Sequence, residues 1–549
     1  MHNRSHSLDP GSMEECIAMR VKDASQPTEE EGAYFFSKLP SRARLVARTG
    51  EQWPDSNFGP LCKFLCPFPL GHPFVATWNT PGNTLQIDIR EQLAAAGIDW
   101  VAIDCVGKYL DPPLSDGSSP TLLITVPPTS TDWNAGVRAV NACKIVLEDH
   151  DIKDMEVEMK EGMVSQMVPD NNTCIDDCEG NELLLGAKTN LLGLSIGAKG
   201  RKAQGTLGLH LTLTDEDGNQ KQLGLSCRHV FFDMDDTHEH RHGQGQEVVA
   251  VSFSEAQIKE AVEKATEKTQ DAQNEVNSYE ERIDQKFTSL EVPVPAKTQE
   301  LLHHLQKRFE DSQRELAKIS QLLRDGEKLC EFGHILYSPP IADTLTPSLN
   351  TKSWLPDWAL IEIVGRRAEE GTNNNLCYIS SGLMIDKKAQ ELMGETGINM
   401  PTGYLNYVMG QPGSQYIPLK SAIIPESEMH GLPSLDRAHD YDPSHKQLVV
   451  FKYGRTTKLT AGLSNKPVSL TRKSGHVSEE WCILPLAGRV FSRSSDSGSL
   501  VWDTERRLGG IITSGDHNDT GTDVTYATPM ERLLQDIRAR GYNVEVPEL

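Results

Sequence analysis

A serine hydroxyl attacks a carbonyl at neutral pH when an imidazole takes its proton and a carboxylate holds that imidazole in place. The chain offers such a set in the order His, Asp, Ser. His229 closes the apolar run LGLSCRH, Asp357 opens DWALIEI just after a proline, and Ser497 stands between Asp496 and Gly498 in SRSSDSGSLVW. Each alone is ordinary. A histidine after an apolar strand is more often structural, an aspartate opening a strand is usually a cap, and Asp-Ser-Gly is a common turn. Together, at strand ends of one β-rich stretch, they read as a nucleophile, a general base that later acts as acid, and its orienter. A second cluster, DMDDTHEHRH (233–242), sets His238, His240 and His242 on alternate residues beside acids and so has metal-ligand character. It follows His229 directly and reads as a solvated loop. The 11 cysteines include the close pairs Cys62/Cys66 and Cys174/Cys178, neither with the spacing of a zinc ribbon. Free thiols are expected, with no metal and no cofactor.

The elements that must position the set are short strands. GTLGLHLTL (205–213), the turn DEDGN (215–219) and KQLGLSCRHVFF (221–232) make a hairpin by turn chemistry. FGHILYS, WALIEIV, QLVVFKYG, EEWCILPL, SLVWD and LGGIITSG follow as further strands. A helical hairpin over 254–326 interrupts them. Ile258, Val262, Ala265, Ala272, Val276, Tyr279, Ile283 and Phe287 recur at three- and four-residue steps, as do Leu302, Leu305, Phe309, Leu316, Ile319 and Leu323. VPVPAK (292–297) cannot continue a helix between them. At 1.5 Å per residue the arm projects on the order of 40–50 Å. It reads equally as a tolerated spacer or as an arm for a protein partner.

The first part of the chain has a different grammar. Residues 1–68 read as an irregular arm, 69–165 as a small α+β domain, 166–190 as a linker, and 191–549 as the mainly-β domain. Within 69–165, FVATW (74–78) reads as a strand, LQIDIREQLAAAG as a helix, WVAIDCV and TLLITV as strands, TDWNAGVRAVNACKIVLEDH as a helix and MEVEMKEG as a strand. That βαββαβ order is ferredoxin-like. The acidic run EDHDIKDMEVEMKEG reads as a solvated face and strand edge.

The net charge of −24 over 549 residues argues against nucleic acid and against an acidic membrane surface. No run approaches the roughly 18 apolar residues of a membrane span, and the N-terminus lacks the apolar core of a signal peptide. A cytoplasmic or nuclear protein is expected.

LSCRHVFF, DWALIEI and SDSGS (495–499) resemble the histidine, aspartate and serine segments of chymotrypsin-like (trypsin-fold) serine proteases. VVFKYGRTTKLTAG (449–462) is similar to the Gly-X-Thr-Thr stretch of the bacterial members, and YATPMERLLQDIRARG (526–541) to the last strand and terminal helix. The resemblance covers roughly 190–548 without the helical hairpin and is close to intracellular fungal trypsin-like proteins. It implies a double-barrel domain and an intracellular serine endopeptidase acting on protein or peptide through an acyl-enzyme. It also implies an oxyanion hole from the N–H groups of Ser495 and Ser497. Ser495 departs from the family's glycine, the residue such a turn accepts most easily. Asp496 is expected to pair with a basic residue, Lys452 or its neighbour Arg455. Ser514 and Gly515 on IITSG are expected to pair with substrate backbone. Phe491 either floors the primary specificity pocket or is core. The N-terminal domain is expected to act in assembly or as an inhibitory pro-region, with self-processing between the domains. The alternative, from another class, is a catalytically inactive protease-fold scaffold that binds partners through the helical hairpin and N-terminal domain.

Overall fold

The computed structural model describes residues 10–50, 62–80, 83–111, 118–166, 189–341, 354–365, 375–378, 416–430, 448–485 and 490–548, apart from isolated positions in these spans. The expected linker falls mostly outside them, as does much of the long 366–446 stretch.

The N-terminal unit carries β1 (Leu45–Arg48), β2 (Cys62–Cys66), β3 (Ala102–Asp111), β4 (Ser119–Val126), β5 (Glu156–Glu161) and β6 (Met163–Gln166). The first four paired strands run in the order β1-β5-β4-β3, and β2 adds to β3. Helices Thr84–Ala95 and Trp133–Asp149 begin where Asn83 and Asp132 accept hydrogen bonds from Leu85 N–H and Ala135 N–H. Their apolar faces, including Leu85, Ile89, Val140 and Leu147, bury against Ile103, Leu122, Ile124 and Val157 of the sheet.

Four expectations fail in this unit. FVATW is not a strand but the helix Phe74–Asn79, started by Pro73. Phe74 and Trp78, four residues apart, stack with ring centroids 5.3 Å apart, a helical spacing that the short apolar run conceals. The first strand is β1 instead, inside the stretch read as an irregular arm, which also holds the helices Pro10–Asp23 and Glu29–Tyr34. β1 lies at the edge beside β5 and β4 pairs directly with β5 in parallel, so the sheet order is not the ferredoxin-like one expected, in which the first strand sits between the other two. The acidic run is not wholly a solvated face. Glu158 and Lys160 on β5 are buried, Glu158 paired with Lys108 and Lys160 lying 2.6 Å from Asp516 and 2.8 Å from Asp523.

The β-rich part begins with β7 (Ser195–Ala198), β8 (Gly205–Thr206), β9 (Leu209–Thr214), β10 (Gln220–Ser226), β11 (His240–Arg241), β12 (Val249–Val251), β13 (Glu331–Ser338) and β14 (Ala359–Ile363). The path β9-β10-β14-β13-β12-β7-β8 returns on itself because β8 runs on into β9, closing a barrel around Ile196, Leu211, Leu225, Ile335 and Ile361. The β9–β10 turn is tied by Asp215, whose Oδ1 accepts from the N–H groups of Asp217 and Asn219 at 3.0 and 2.8 Å. Between β12 and β13 the chain leaves as the helices Glu255–Ile283 and Ala296–Cys330. Ile258, Ala261 and Ala265 meet Ile319 and Leu322 where the helices leave the barrel, and Ser252 N–H donates to Cys330 O at 2.8 Å.

After a small pair, β15 (Leu376–Tyr378) and β16 (Tyr416–Pro418), come β17 (Val449–Gly454), β18 (Lys458–Ser464), β19 (Ser469–Lys473), β20 (His476–Pro485), β21 (Leu500–Asp503), β22 (Leu508–Asn518), β23 (Gly521–Pro529) and β24 (Val544–Glu545). Pairings in the order β20-β18-β17-β21-β22-β23, with β23 back on β20, close a second barrel. The helix Met530–Ala539 crosses back, burying Met530, Leu533 and Ile537 in the first barrel's core.

The N-terminal unit is sewn to the second barrel. Ile103 and Ala102 of β3 pair with Leu470 and Thr471 of β19, so one sheet of 13 described strands runs through both.

Candidate active site

His229 follows β10 in a short 3-10 turn (Arg228–Val230), and Asp357 comes just ahead of β14, which pairs with β10. That pairing sets the two side by side. His229 Nδ1 lies 2.6 Å from Asp357 Oδ2, and His229 N–H donates to Asp357 Oδ1 at 3.1 Å. Both side chains are buried. Burial alone would raise the Asp357 carboxyl, but the charge and hydrogen bonds of His229 outweigh it and hold the pKa below its ordinary value.

The Ser497 turn docks against the first barrel just ahead of His229. Thr206 N–H donates to Ser497 O at 2.7 Å, and Thr206 Oγ1 donates to Ser495 O at 3.0 Å. Gly498, at φ +88°, lies so close to Thr206 O and Ser226 Oγ that no side chain fits. Ser497 Oγ and His229 Nε2 are both buried without a hydrogen-bond partner. The Ser497 and Ser495 N–H groups likewise donate to no carbonyl among the described residues. The turn thus carries two uncommitted donors and a hydroxyl, and it packs against Ser226 and, through Gly205, Val230, residues on either side of His229. Hydrogen bonds of this kind often tighten only in a substrate complex.

Ser495 sits at φ +73°, the left-handed region that favours glycine. The peptide that carries its N–H is fixed through the Ser494 carbonyl, which accepts from Thr456 Oγ1 at 2.7 Å, and the next peptide through the Ser495 carbonyl, which accepts from Thr206 Oγ1.

Asp496 is fully buried and lies 3.2 Å from Lys452 Nζ. It also accepts from the N–H groups of Thr456 and Arg493 at 2.9 and 3.0 Å and from Thr457 Oγ1 at 2.6 Å. Arg455, the other candidate, instead gives its backbone N–H to Thr206 Oγ1. Phe491 is no pocket floor. It is fully buried with Val450, Trp481 and Ile512 inside the second barrel, because a large apolar side chain at that position completes the barrel core.

Ser514 and Gly515 already have a strand beside them. β6 pairs antiparallel with β22, with Gln166 opposite Ser514 and Ser165 opposite Gly515. Under β6 lies a cavity of about 30 Å³ lined by Val164, Ser165, Asp357, Lys473, Glu480 and Thr513. Burial pushes the Lys473 ammonium down to about 8 and the Glu480 carboxyl up to about 6.

Thr206, Thr456, Thr457, Lys473 and β6 are the parts that the sequence reading did not assign. The two threonines were legible in the Gly-X-Thr-Thr stretch. Thr206 and Lys473 carry no local signal, since their partners are distant in sequence.

No protein-family model matches the chain, nor does any curated protein sequence. Among solved structures, the crystal structure of Nocardiopsis protease (NAPase) overlaps 65% of this chain and 97% of its own, at 9% identity and a TM-score of 0.26. A glutamic acid-specific serine protease, described as using a novel histidine triad in substrate binding, overlaps 65% of this chain and 100% of its own, at 8% identity and a TM-score of 0.26. At such scores the likeness carries no weight for function, which has to stand on the residues.

Proposed function

We propose that the chain is a serine endopeptidase on a chymotrypsin-like double barrel, kept latent by its own N-terminal unit. One observation carries this: a buried His229–Asp357 pair beside a serine turn whose hydroxyl and flanking N–H groups are uncommitted. Ser497 Oγ attacks the scissile carbonyl as His229 Nε2 takes its proton. Asp357 keeps the other ring nitrogen protonated and stabilises the imidazolium that forms. The N–H groups of Ser495 and Ser497 bind the developing oxyanion, each worth about 2.7–4 kcal/mol in such sites. His229 then protonates the leaving amine, and water releases the acyl group from Ser497.

The β6 pairing supports latency. An extended peptide binds such an edge by adding an antiparallel strand, and β6 takes that place. The chain runs on from Gln166 toward the protease part, so a cut between 166 and 195 by Ser497 is the self-processing event expected here. Buried free thiols such as Cys105, Cys143, Cys227 and Cys482 suit a cytoplasmic or nuclear setting. No described helix is long and apolar enough to cross a membrane.

A fluorophosphonate probe tests the reading. Ser165→Pro, which removes a backbone donor from β6, should label faster than wild type. Adding Ser497→Ala to either chain should abolish labelling. A folded Ser165→Pro chain that stays unlabelled refutes catalysis and leaves the partner-binding scaffold.

A further inference from the structure

The loop that reads as solvated from its sequence does not act alone. Its last histidine, His242, meets a residue nearly a hundred positions away. The rings of His242 and His334 stack with centroids 3.7 Å apart. With Glu247 they form a group whose ligand atoms all lie within 4.8 Å of one another. His334 Nε2 is shielded from solvent without a hydrogen-bond partner among the described residues, and Glu362 Oε2 stands 3.5 Å from it. The buried His334 Nε2 has lost water without gaining a donor or acceptor, a cost that a ligand at this nitrogen would remove.

The backbone holds all of these residues in place. His242 N–H donates to Leu336 O at 2.9 Å, and Ile335 N–H donates to Val248 O at 2.9 Å. On the sheet His334 lies opposite Val249 of β12 on one side and Glu362 of β14 on the other. Glu362 is itself held by Lys221 at 3.0 Å. His238 and His240 stand apart from the group. His238 is exposed, and His240 Nε2 lies 3.1 Å from Ile335 O.

We propose that His242, His334 and Glu247 bind a divalent zinc-like cation, with Glu362 beside His334 as a fourth or orienting carboxylate. Two imidazole nitrogens and a carboxylate oxygen, at about 2.0–2.2 Å from the ion, form a donor set for zinc. The hard cations magnesium and calcium prefer all-oxygen shells and are excluded by the same donors. Tetrahedral ligands at those lengths stand roughly 3.4 Å apart, so the group needs a contraction of up to about 1.4 Å. Glu247 also lines a surface groove of about 600 Å³, which gives the ion a path from solvent.

The position assigns the ion a role. Glu247 comes just before β12, and His334 lies within β13, the two strands between which the long helices leave the barrel. An ion there ties together both roots of the helical arm, away from the Ser497 turn, and it needs no catalytic activity to be present.

The test is calorimetric titration of the chelator-treated full chain with zinc chloride, with magnesium chloride as the contrast. A single zinc ion should bind, and magnesium should not. His242→Ala, an exposed position whose variant should fold, should weaken zinc by about 10–100-fold or more, and Glu247→Gln should weaken it as well. Among the described residues Cys227, His229 and Asp357 form a second group of possible ligands, so His229→Ala is the control and should leave zinc affinity unchanged. Wild-type affinity in both His242→Ala and Glu247→Gln, or loss only in His229→Ala, overturns the proposal.

Discussion

Replacing Lys452 with methionine tests whether the serine turn is held by a buried charge pair. Lys452 Nζ lies 3.2 Å from Asp496 Oδ2, and both side chains are sealed from solvent. At an effective dielectric of about 20, that distance is worth roughly 5 kcal/mol of attraction, much of it offset by desolvation. The measurable quantity is what remains when one partner goes, about 3–5 kcal/mol for a stranded buried charge. Asp496 would keep its bonds from Thr456, Thr457 and Arg493, which places the loss near the low end. Methionine keeps the apolar stem, so packing changes little. At about 2.1 cal/mol/K of unfolding entropy per residue, a loss of about 3 kcal/mol lowers the calorimetric midpoint by roughly 3 °C in a chain of this size. It should also slow fluorophosphonate labelling in the Ser165→Pro background, because Asp496 adjoins Ser497. Adding Asp496→Asn should recover at least half of the loss, since a neutral amide needs no cation. A single Lys452→Met chain with its midpoint within about 1 °C of wild type would sink this account of the turn.

Asp357→Asn should cut peptide turnover in the Ser165→Pro background roughly 10⁴-fold, because an amide next to His229 Nδ1 favours the wrong tautomer. A loss below about tenfold contradicts the assigned role. Asp104 bonds with Ser469 and Tyr526, and burial raises its carboxyl to about 7. The folded chain therefore holds a proton that the unfolded chain releases near 4, so this contribution to stability falls as pH rises from about 4 through 7. Asp104→Asn should shrink that decline in thermal scans between pH 5 and 8, and an unchanged slope argues against it. Ser495→Gly relieves a left-handed serine worth about 1–2 kcal/mol, less about 0.5–1 of added chain entropy. The variant should gain on the order of 0.5 kcal/mol and still label, and a lower midpoint would refute the strain. A chain cut between 166 and 195 should elute as one particle on size exclusion, and separated fragments would refute the sewn interface.

Legibility in the sequence followed how local each signal is. The strands carrying His229 and Asp357 announce themselves because apolar runs end on polar residues that turn chemistry can hold. The helices Glu255–Ile283 and Ala296–Cys330 show in their repeats, since each buries one stripe against the other near its root. FVATW misleads because a five-residue apolar run has no period of its own, and the Phe74–Trp78 stack makes sense only with Val468 O accepting from Trp78 Nε1 at 2.9 Å. β1 is invisible for a related reason. A four-residue strand, Leu45–Arg48, is specified mainly by β5 beside it. Phe491 could be settled only once the barrel closed around it.

Charge gives the sharpest case, because the failed reading of the acidic run shows how the N-terminal unit is joined to the second barrel. Lys160 on β5 is fully buried, and its carboxylates come from β22 and β23 of the second barrel. Asp523 also accepts from Ser41, and Asp516 accepts from Thr125 Oγ1 at 3.0 Å. A unit standing alone would face water with this lysine, while the barrel would keep two acids side by side without a cation. The apolar side is shared as well: Phe36, Leu45, Val106 and Leu123 form one cluster with Leu484, Val524 and Tyr526. Each such side chain is worth about 1.5–3 kcal/mol when buried. The two parts share this core, so β6, the strand paired with β22, belongs to a unit that is packed into the second barrel. On the proposed reading, a peptide competing for β22 must displace a β6 that is anchored through that shared core.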